Sequence, residues 1–133
     1  MRNTLEKAIR DAYAAFLRGD VDGYIAACAD DFTFNVPGSG GISGVWVGRQ
    51  GIYDLAGKAM SLTGGTFQEE VIDVLANDQH AVVLARHRFT RDGVSKDYST
   101  AHVYEVRGGK LAICFEHPRD SAIFHDAWGS SQD

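Results

Sequence analysis

Long apolar runs are missing from this chain. No stretch approaches the roughly 20 residues that a membrane-spanning helix needs, so no membrane partner is expected. Basic runs are missing too. Thirteen Lys and Arg stand against eighteen Asp and Glu, for a net charge of −5. Phosphate backbones are held by clustered positive surface, so nucleic acid is not an expected partner. Cysteine is scarce: Cys28 and Cys114 are isolated, each in an apolar context. They read as buried, reduced thiols, which fits a cytoplasmic protein. No CxxC, HExxH or other metal spacing occurs, and no phosphate-binding glycine motif, so neither a metal nor an organic cofactor is expected. MRNTLEKAIRDAY at the start lacks an unbroken apolar segment and reads as an amphipathic helix rather than a signal peptide.

What is present suits one ordinary domain spanning residues 1–133, long enough to bury a core. Hydrophobic content of 44% and charged content of 23% place it among water-soluble globular proteins.

The chain is organised around Gln79–His117, which reads as three antiparallel strands: His80–Arg91, Lys96–Arg107 and Lys110–His117. Asp92-Gly93 and Gly108-Gly109 separate them, dipeptides that tolerate positive φ. A two-residue turn at Asp92-Gly93 places His87 opposite Tyr98, Ala85 opposite Thr100 and Val83 opposite His102. The other face then pairs Arg88 with Asp97, a mildly favourable ion pair. The second turn admits two registers. A plain Gly-Gly turn puts His102 opposite Phe115; a three-residue turn with a bulge at Gly109 puts it opposite Glu116, and Tyr104 opposite Cys114. A one-residue slip reverses the face of every side chain.

Upstream, Asn3 and Glu6 form a capping box. Leu5, Ile9, Ala12, Tyr13, Phe16 and Leu17 form one helical stripe that ends at Gly19. Asp20 caps a second helix, Val21–Ala29, broken by Asp30-Asp31. Phe32–Val36 alternates as a strand. Pro37–Gly44 reads as a flexible connection, with a lid as the sharper alternative. Val45–Val47 is a short strand, Arg49–Leu62 a third helix, Thr66–Ala76 a long strand and Asp120–Trp128 a last helix. Helices segregated from an antiparallel sheet give an α+β fold, in which a curved sheet over three helices leaves a cone-shaped pocket.

The run GDVDGYIAACADDFTFNVPGS resembles the nuclear transport factor 2-like superfamily, in its SnoaL-like polyketide cyclase and ketosteroid isomerase branch. SGVWVGRQGI, VIDVLANDQHAVV and HVYEVRGGKLAICFEHPRD agree, so the likeness covers nearly the whole chain. The resemblance implies a cone-shaped, cystatin-like α+β barrel and leaves the reaction open, because this fold hosts cyclases, isomerases, epoxide hydrolases and non-catalytic binders. The isomerase base, a carboxylate just before the motif's proline, is absent: Val36 stands there, after Asn35. His102 occupies the isomerases' acid-donor position, and their tyrosine donor falls nearest Ala12 or Tyr13. The epoxide hydrolases' Arg-x-Asp becomes Arg86-His87-Arg88, which lacks the Asp. SnoaL-like cyclases use an acidic residue late in the sheet, a role open here to Glu116 or Asp120. The resemblance also implies the glycine bulge in the last hairpin, which sets Glu116 beside His102.

His102 and Glu116 are therefore the expected catalytic pair, a carboxylate raising the basicity of a facing imidazole. Tyr13, Phe16, Phe34, Asn35, Trp46, Met60, His87, Tyr98 and Asp120 are the expected substrate-binding residues. The expected ligand is a small apolar carbonyl or polyketide-like molecule. Expected functions are a cofactor-free cyclase or isomerase, a non-catalytic small-molecule binder, or a purely structural dimer. Leu111, Ile113, Phe115 and Val103 mark an outer sheet face expected to form a homodimer.

Overall fold

A computed structural model describes residues 4–129. The Asn3–Glu6 capping box involves Asn3, which lies outside the described residues. The elements are α1 (Thr4–Leu17), α2 (Val21–Ile25), β1 (Cys28–Val36), β2 (Gly44–Val47), α3 (Gly48–Leu62), β3 (Gln68–Ala76), β4 (His80–Arg91), β5 (Val94–Arg107), β6 (Lys110–Pro118) and α4 (Ser121–Trp128). The strands form one sheet in the order β2-β1-β6-β5-β4-β3, antiparallel throughout except for the parallel β1–β6 pair. Helix α1 packs on β3, α3 on β1 and α4 on β5, so the helices cover one face. The architecture is the expected α+β fold.

Irregular pairing in β1, β3 and β6 bends the sheet. The β4–β5 register is as read from the Asp92-Gly93 turn, with Asp92 at φ 51° and Gly93 at φ 77°. In the last hairpin His102 does face Glu116, and Tyr104 faces Cys114. The bulge that produces this is not at Gly109. Gly108 and Gly109, at φ 58° and 75°, make a plain two-residue turn in which Arg107 faces Lys110. The extra residue is Ala112, between Leu111 and Ile113. Consequently Leu111 and Ala112 are both buried, and Leu111 belongs to the core rather than to the outer face. Ile113 and Phe115 do point outward, with Phe115 40% exposed.

The second helix is shorter than its spacing suggests. Asp20 accepts from the Gly23 amide as expected, but α2 stops at Ile25. The Leu111 amide then donates to the Ala27 carbonyl, and Lys110 Nζ donates to the Ala26 carbonyl. The last hairpin thus captures the backbone from Ala26 onward, and β1 begins at Cys28 instead of Phe32.

The Pro37–Gly44 segment is pinned rather than free. Ser43 Oγ donates to the Pro37 carbonyl and accepts from the Gly40 amide, and Trp46 Nε1 donates to the Ile42 carbonyl. Gly38, at φ 84°, runs so close to α4 that a Cβ there would meet His125 Nε2 at 1.8 Å.

Two apolar clusters fill the interior. One gathers Ile9, Tyr13, Tyr24, Phe32, Tyr104 and Leu111 beneath α1 and α2. The other gathers Val36, Ile42, Phe89, Tyr98, Phe124 and Trp128 beside α4. Buried polar side chains from β4, β5 and β6 join them on the concave face: His87, Thr100, His102 and Glu116.

Candidate active site

Alternation along β4, β5 and β6 turns His87, Tyr98, Thr100, His102, Tyr104 and Glu116 to the covered face. Of these, His87, His102 and Glu116 border a cavity with a volume of about 80 Å³. Ile52, Leu55, Ala56 and Ala59 of α3 form one wall, and Phe16, Phe34, Val36, Ile42, Phe67 and Trp128 add further apolar surface. Only one wall is ionisable, made by Glu69, His87, His102 and Glu116, with the hydroxyls of Tyr13 and Tyr24 at its margin.

His102 is held from both sides. Its Nδ1 lies 2.7 Å from the Tyr13 hydroxyl, which is 2.5 Å from that of Tyr104; the Tyr24 hydroxyl continues the chain at 2.7 Å. Its Nε2 sits 3.4 Å from Glu116 Oε2, close enough for strong Coulombic attraction, yet it has no hydrogen-bond partner among the described residues. Glu116 Oε2 accepts from Thr100 Oγ1 at 2.9 Å. His87 Nδ1 lies 2.9 Å from the Tyr98 hydroxyl, which accepts from Trp128 Nε1 at 2.7 Å. His87 Nε2 is hydrogen-bonded to Glu69 Oε2. The result is two imidazole–carboxylate pairs side by side, with ring centroids 5.6 Å apart.

Burial alone would push the Glu116 carboxyl up, but His102, His87 and the Thr100 hydroxyl outweigh it and hold the group below its ordinary value. Glu69 behaves alike: burial opposes ionisation, and His87 and then His102 reverse the balance. Burial would lower the His102 pKa, whereas Glu116 and then Glu69 raise it above the usual imidazole value. Tyr13, Tyr24, Tyr98 and Tyr104 are pushed well above the ordinary phenol value, chiefly by burial, so they act as neutral hydroxyls. Burial also pushes Cys28 up to about 12 and Cys114 upward, which makes both thiols poor nucleophiles.

Of the residues read from the sequence, Tyr13, Phe16, Phe34, His87, His102 and Glu116 line the cavity. Tyr98 stands behind His87 as a hydrogen-bond support. Asn35 is on the opposite sheet face, where it faces Phe115 and its Nδ2 donates to the Cys114 carbonyl. Trp46 packs under α3, beside Gly51, and does not reach the cavity wall. Met60 is 45% exposed on the outer side of α3. Asp120 caps α4 by accepting from the Ile123 amide. Strand alternation already gave Asn35 the outward parity, since Phe34 and Val36 face in. Glu69, Thr100 and Trp128 were missed. Glu69, His87 and His102 each bring one donor atom within 4.8 Å of the others, a grouping able to hold a metal ion.

Residues 9–113 match the SnoaL-like domain family. The chain belongs to that family. This SnoaL-like protein is 30% identical over 121 residues to uncharacterised protein Rv0034 of Mycobacterium tuberculosis, covering 90% of this chain and 92% of the relative. In structure it is similar to Bal32a from a soil-derived mobile gene cassette, with 27% identity, a TM-score of 0.87, and 94% and 96% of the two chains covered. It is also similar to an NTF2-like protein of unknown function from Burkholderia pseudomallei, with 21% identity, a TM-score of 0.85, and 97% and 100% covered. The fold is that of the NTF2-like superfamily.

Proposed function

We propose that residues 1–133 form one SnoaL-like domain that performs acid/base chemistry on a small, largely apolar carbonyl or polyketide-like molecule, without a cofactor. The single observation that carries this reading is the cavity's composition: apolar on all walls but one, and ionisable on that one. His102 and Glu116 are the catalytic pair. In the reactive form the His102 proton sits on Nδ1 and is donated to the Tyr13 hydroxyl, which leaves the unbonded Nε2 as the base. That nitrogen takes a proton from the carbon next to the substrate carbonyl. The C–H bond breaks, its electron pair enters the enolate, and the imidazolium formed is stabilised by the Glu116 carboxylate. Return of the proton at another carbon is isomerisation; attack of the enolate carbon on a second carbonyl is cyclisation. Tyr13, Phe16, Phe34 and His87 contact the ligand in this reading.

The test follows exchange of carbon-bound hydrogen for deuterium in small 1,3-dicarbonyl compounds, comparing the wild type with His102→Gln. Exchange that depends on His102 is the expected result. Binding without exchange in the wild type would leave the second reading, a non-catalytic binder. That alternative draws on the completeness of the internal hydrogen bonding, which satisfies every buried polar group on the wall except His102 Nε2.

We further propose that the protein works as a cytoplasmic homodimer through the convex sheet face. Leu75, Leu84 and Phe115 are exposed there, with Val82, Val103 and Ile113 half-buried among them. Leu75, Val82, Val103 and Phe115 are neighbours across four strands, and a contiguous apolar row of this kind marks an interaction surface. Among the described residues no helix is long and apolar enough to cross a membrane.

A further inference from the structure

We propose that Glu69, His87 and His102 form a binding site for one divalent transition-metal cation of the zinc class. Three features point there. First, the donors converge: one atom from each residue lies within 4.8 Å of the other two, and His87 and His102 are both almost wholly buried. A cation held about 2.1 Å from each donor in tetrahedral geometry sets the donors about 3.4 Å apart, so side-chain rotations bring the widest pair together by up to about 1.4 Å and part Glu69 Oε2 from His87 Nε2. Second, His102 Nε2 is buried and has no hydrogen-bond partner among the described residues. A buried ring nitrogen that makes no hydrogen bond is an unfilled coordination position in the tautomer protonated on Nδ1. Third, each ring is anchored through its far nitrogen. Nδ1 of His102 rests on the Tyr13 hydroxyl, and Nδ1 of His87 on the Tyr98 hydroxyl. His87 Nε2 shares a proton with Glu69 in the metal-free protein; once that proton leaves and each ring keeps its proton on Nδ1, both Nε2 lone pairs are available to one cation, the outer-shell arrangement that metal-binding histidines use.

The charge balance favours a dication. Glu69 and Glu116 bring two carboxylates into a nearly dry pocket, with Glu116 Oε2 3.4 Å from His102 Nε2. One divalent cation neutralises both. Two imidazoles and a carboxylate, without thiolate, suit Zn²⁺ or Co²⁺ rather than Mg²⁺ or Ca²⁺. On binding, the cation replaces the proton shared by Glu69 and His87, which leaves for solvent. The site is independent of the acid/base reading and excludes it in time: a cation on His102 Nε2 occupies the lone pair that proton transfer uses. The loaded protein is the form that does no acid/base chemistry.

The experiment is titration of the chelator-treated, intact protein with Zn²⁺ in buffers of different ionisation enthalpy, and with Co²⁺ under NMR observation. Expected are one equivalent of Zn²⁺ bound with proton release, and paramagnetic shifts on the rings of His87 and His102. His87→Asn and Glu69→Gln should each weaken Zn²⁺ binding by at least ~10-fold, while Glu105→Gln, an exposed control, should not. Absence of stoichiometric binding, equal affinity in the variants, or shifts confined to His80, His117 and His125 would overturn the site. If a variant fails to fold, the Co²⁺ shifts on the wild type decide alone. Deuterium exchange is measured on metal-free protein, so its outcome is separate from this one.

Discussion

Glu69 faces His87 across the β3–β4 pair and binds its Nε2, although neither residue lies in a recognisable motif. A regular hairpin counted out from Ala76 opposite Ala81 would have set Glu70 there. The bulge at Ile72 moves the pairing by one and turns Glu69 inward, leaving Glu70 and Ile72 exposed. One extra residue in β3 therefore decides that Glu69, and not Glu70, is the carboxylate of the second pair.

Glu69→Gln should destabilise the protein by about 1.5–3 kcal/mol, the range for a hydrogen bond to a charged group. Urea denaturation at neutral pH measures it. An unchanged midpoint and slope would mean that the pair contributes nothing to the folded state.

Glu116→Gln should lower the His102 pKa, because the imidazolium loses its nearest counter-charge. NMR titration of the metal-free protein reads it directly. A His102 titration indifferent to the substitution would separate the two residues and remove the acid/base pair.

Stability of the metal-free protein should pass through a maximum on the weakly acidic side of neutrality. Folding raises the His102 pKa above 6.5, so its contribution is complete below that value and is lost as pH rises through the folded pKa. Folding lowers the Glu69 and Glu116 pKa below 4.5, so their contribution is present above that value and is lost as pH falls through the folded pKa. Thermal denaturation between pH 3 and 9 maps both limbs. Removing Glu116 should flatten both: its own acid limb goes, and His102 loses its principal partner.

Gly38→Ala should cost more than about 1 kcal/mol. Its φ of 84° is unfavourable for an L side chain, and the added Cβ would collide with His125. His125→Ala in the same background should recover part of the loss by making room while leaving the backbone strain. A Gly38→Ala protein as stable as the wild type would contradict this packing of the loop on α4.

Phe115→Lys should shift the proposed dimer toward monomer at micromolar concentration, since a charge would enter the convex apolar face. Sedimentation equilibrium of both proteins decides it. A wild type that is monomeric from the outset would end the dimer proposal.

Local chemistry was enough for the β4–β5 hairpin. Asp92-Gly93 accepts positive φ at both positions, a two-residue turn admits one register, and that register sets His87 beside Tyr98 and His102 on the same face. Helical spacing likewise gave α1 and placed Tyr13 on its buried stripe. Bulges escape such counting, because an extra residue is accommodated by packing across strands distant in sequence. The family resemblance was needed to put Glu116 opposite His102, and even so the extra residue proved to be Ala112, which draws Leu111 into the core. Glu69 has the same origin. Trp128 reaches the cavity only because α4 folds back on β5 from the far end of the chain. The sequence by itself determined the elements and the face that His87 and His102 share. The tertiary structure decided which carboxylates meet them, because bulge positions follow from curving the sheet around its helices and leave no periodic mark in the residues.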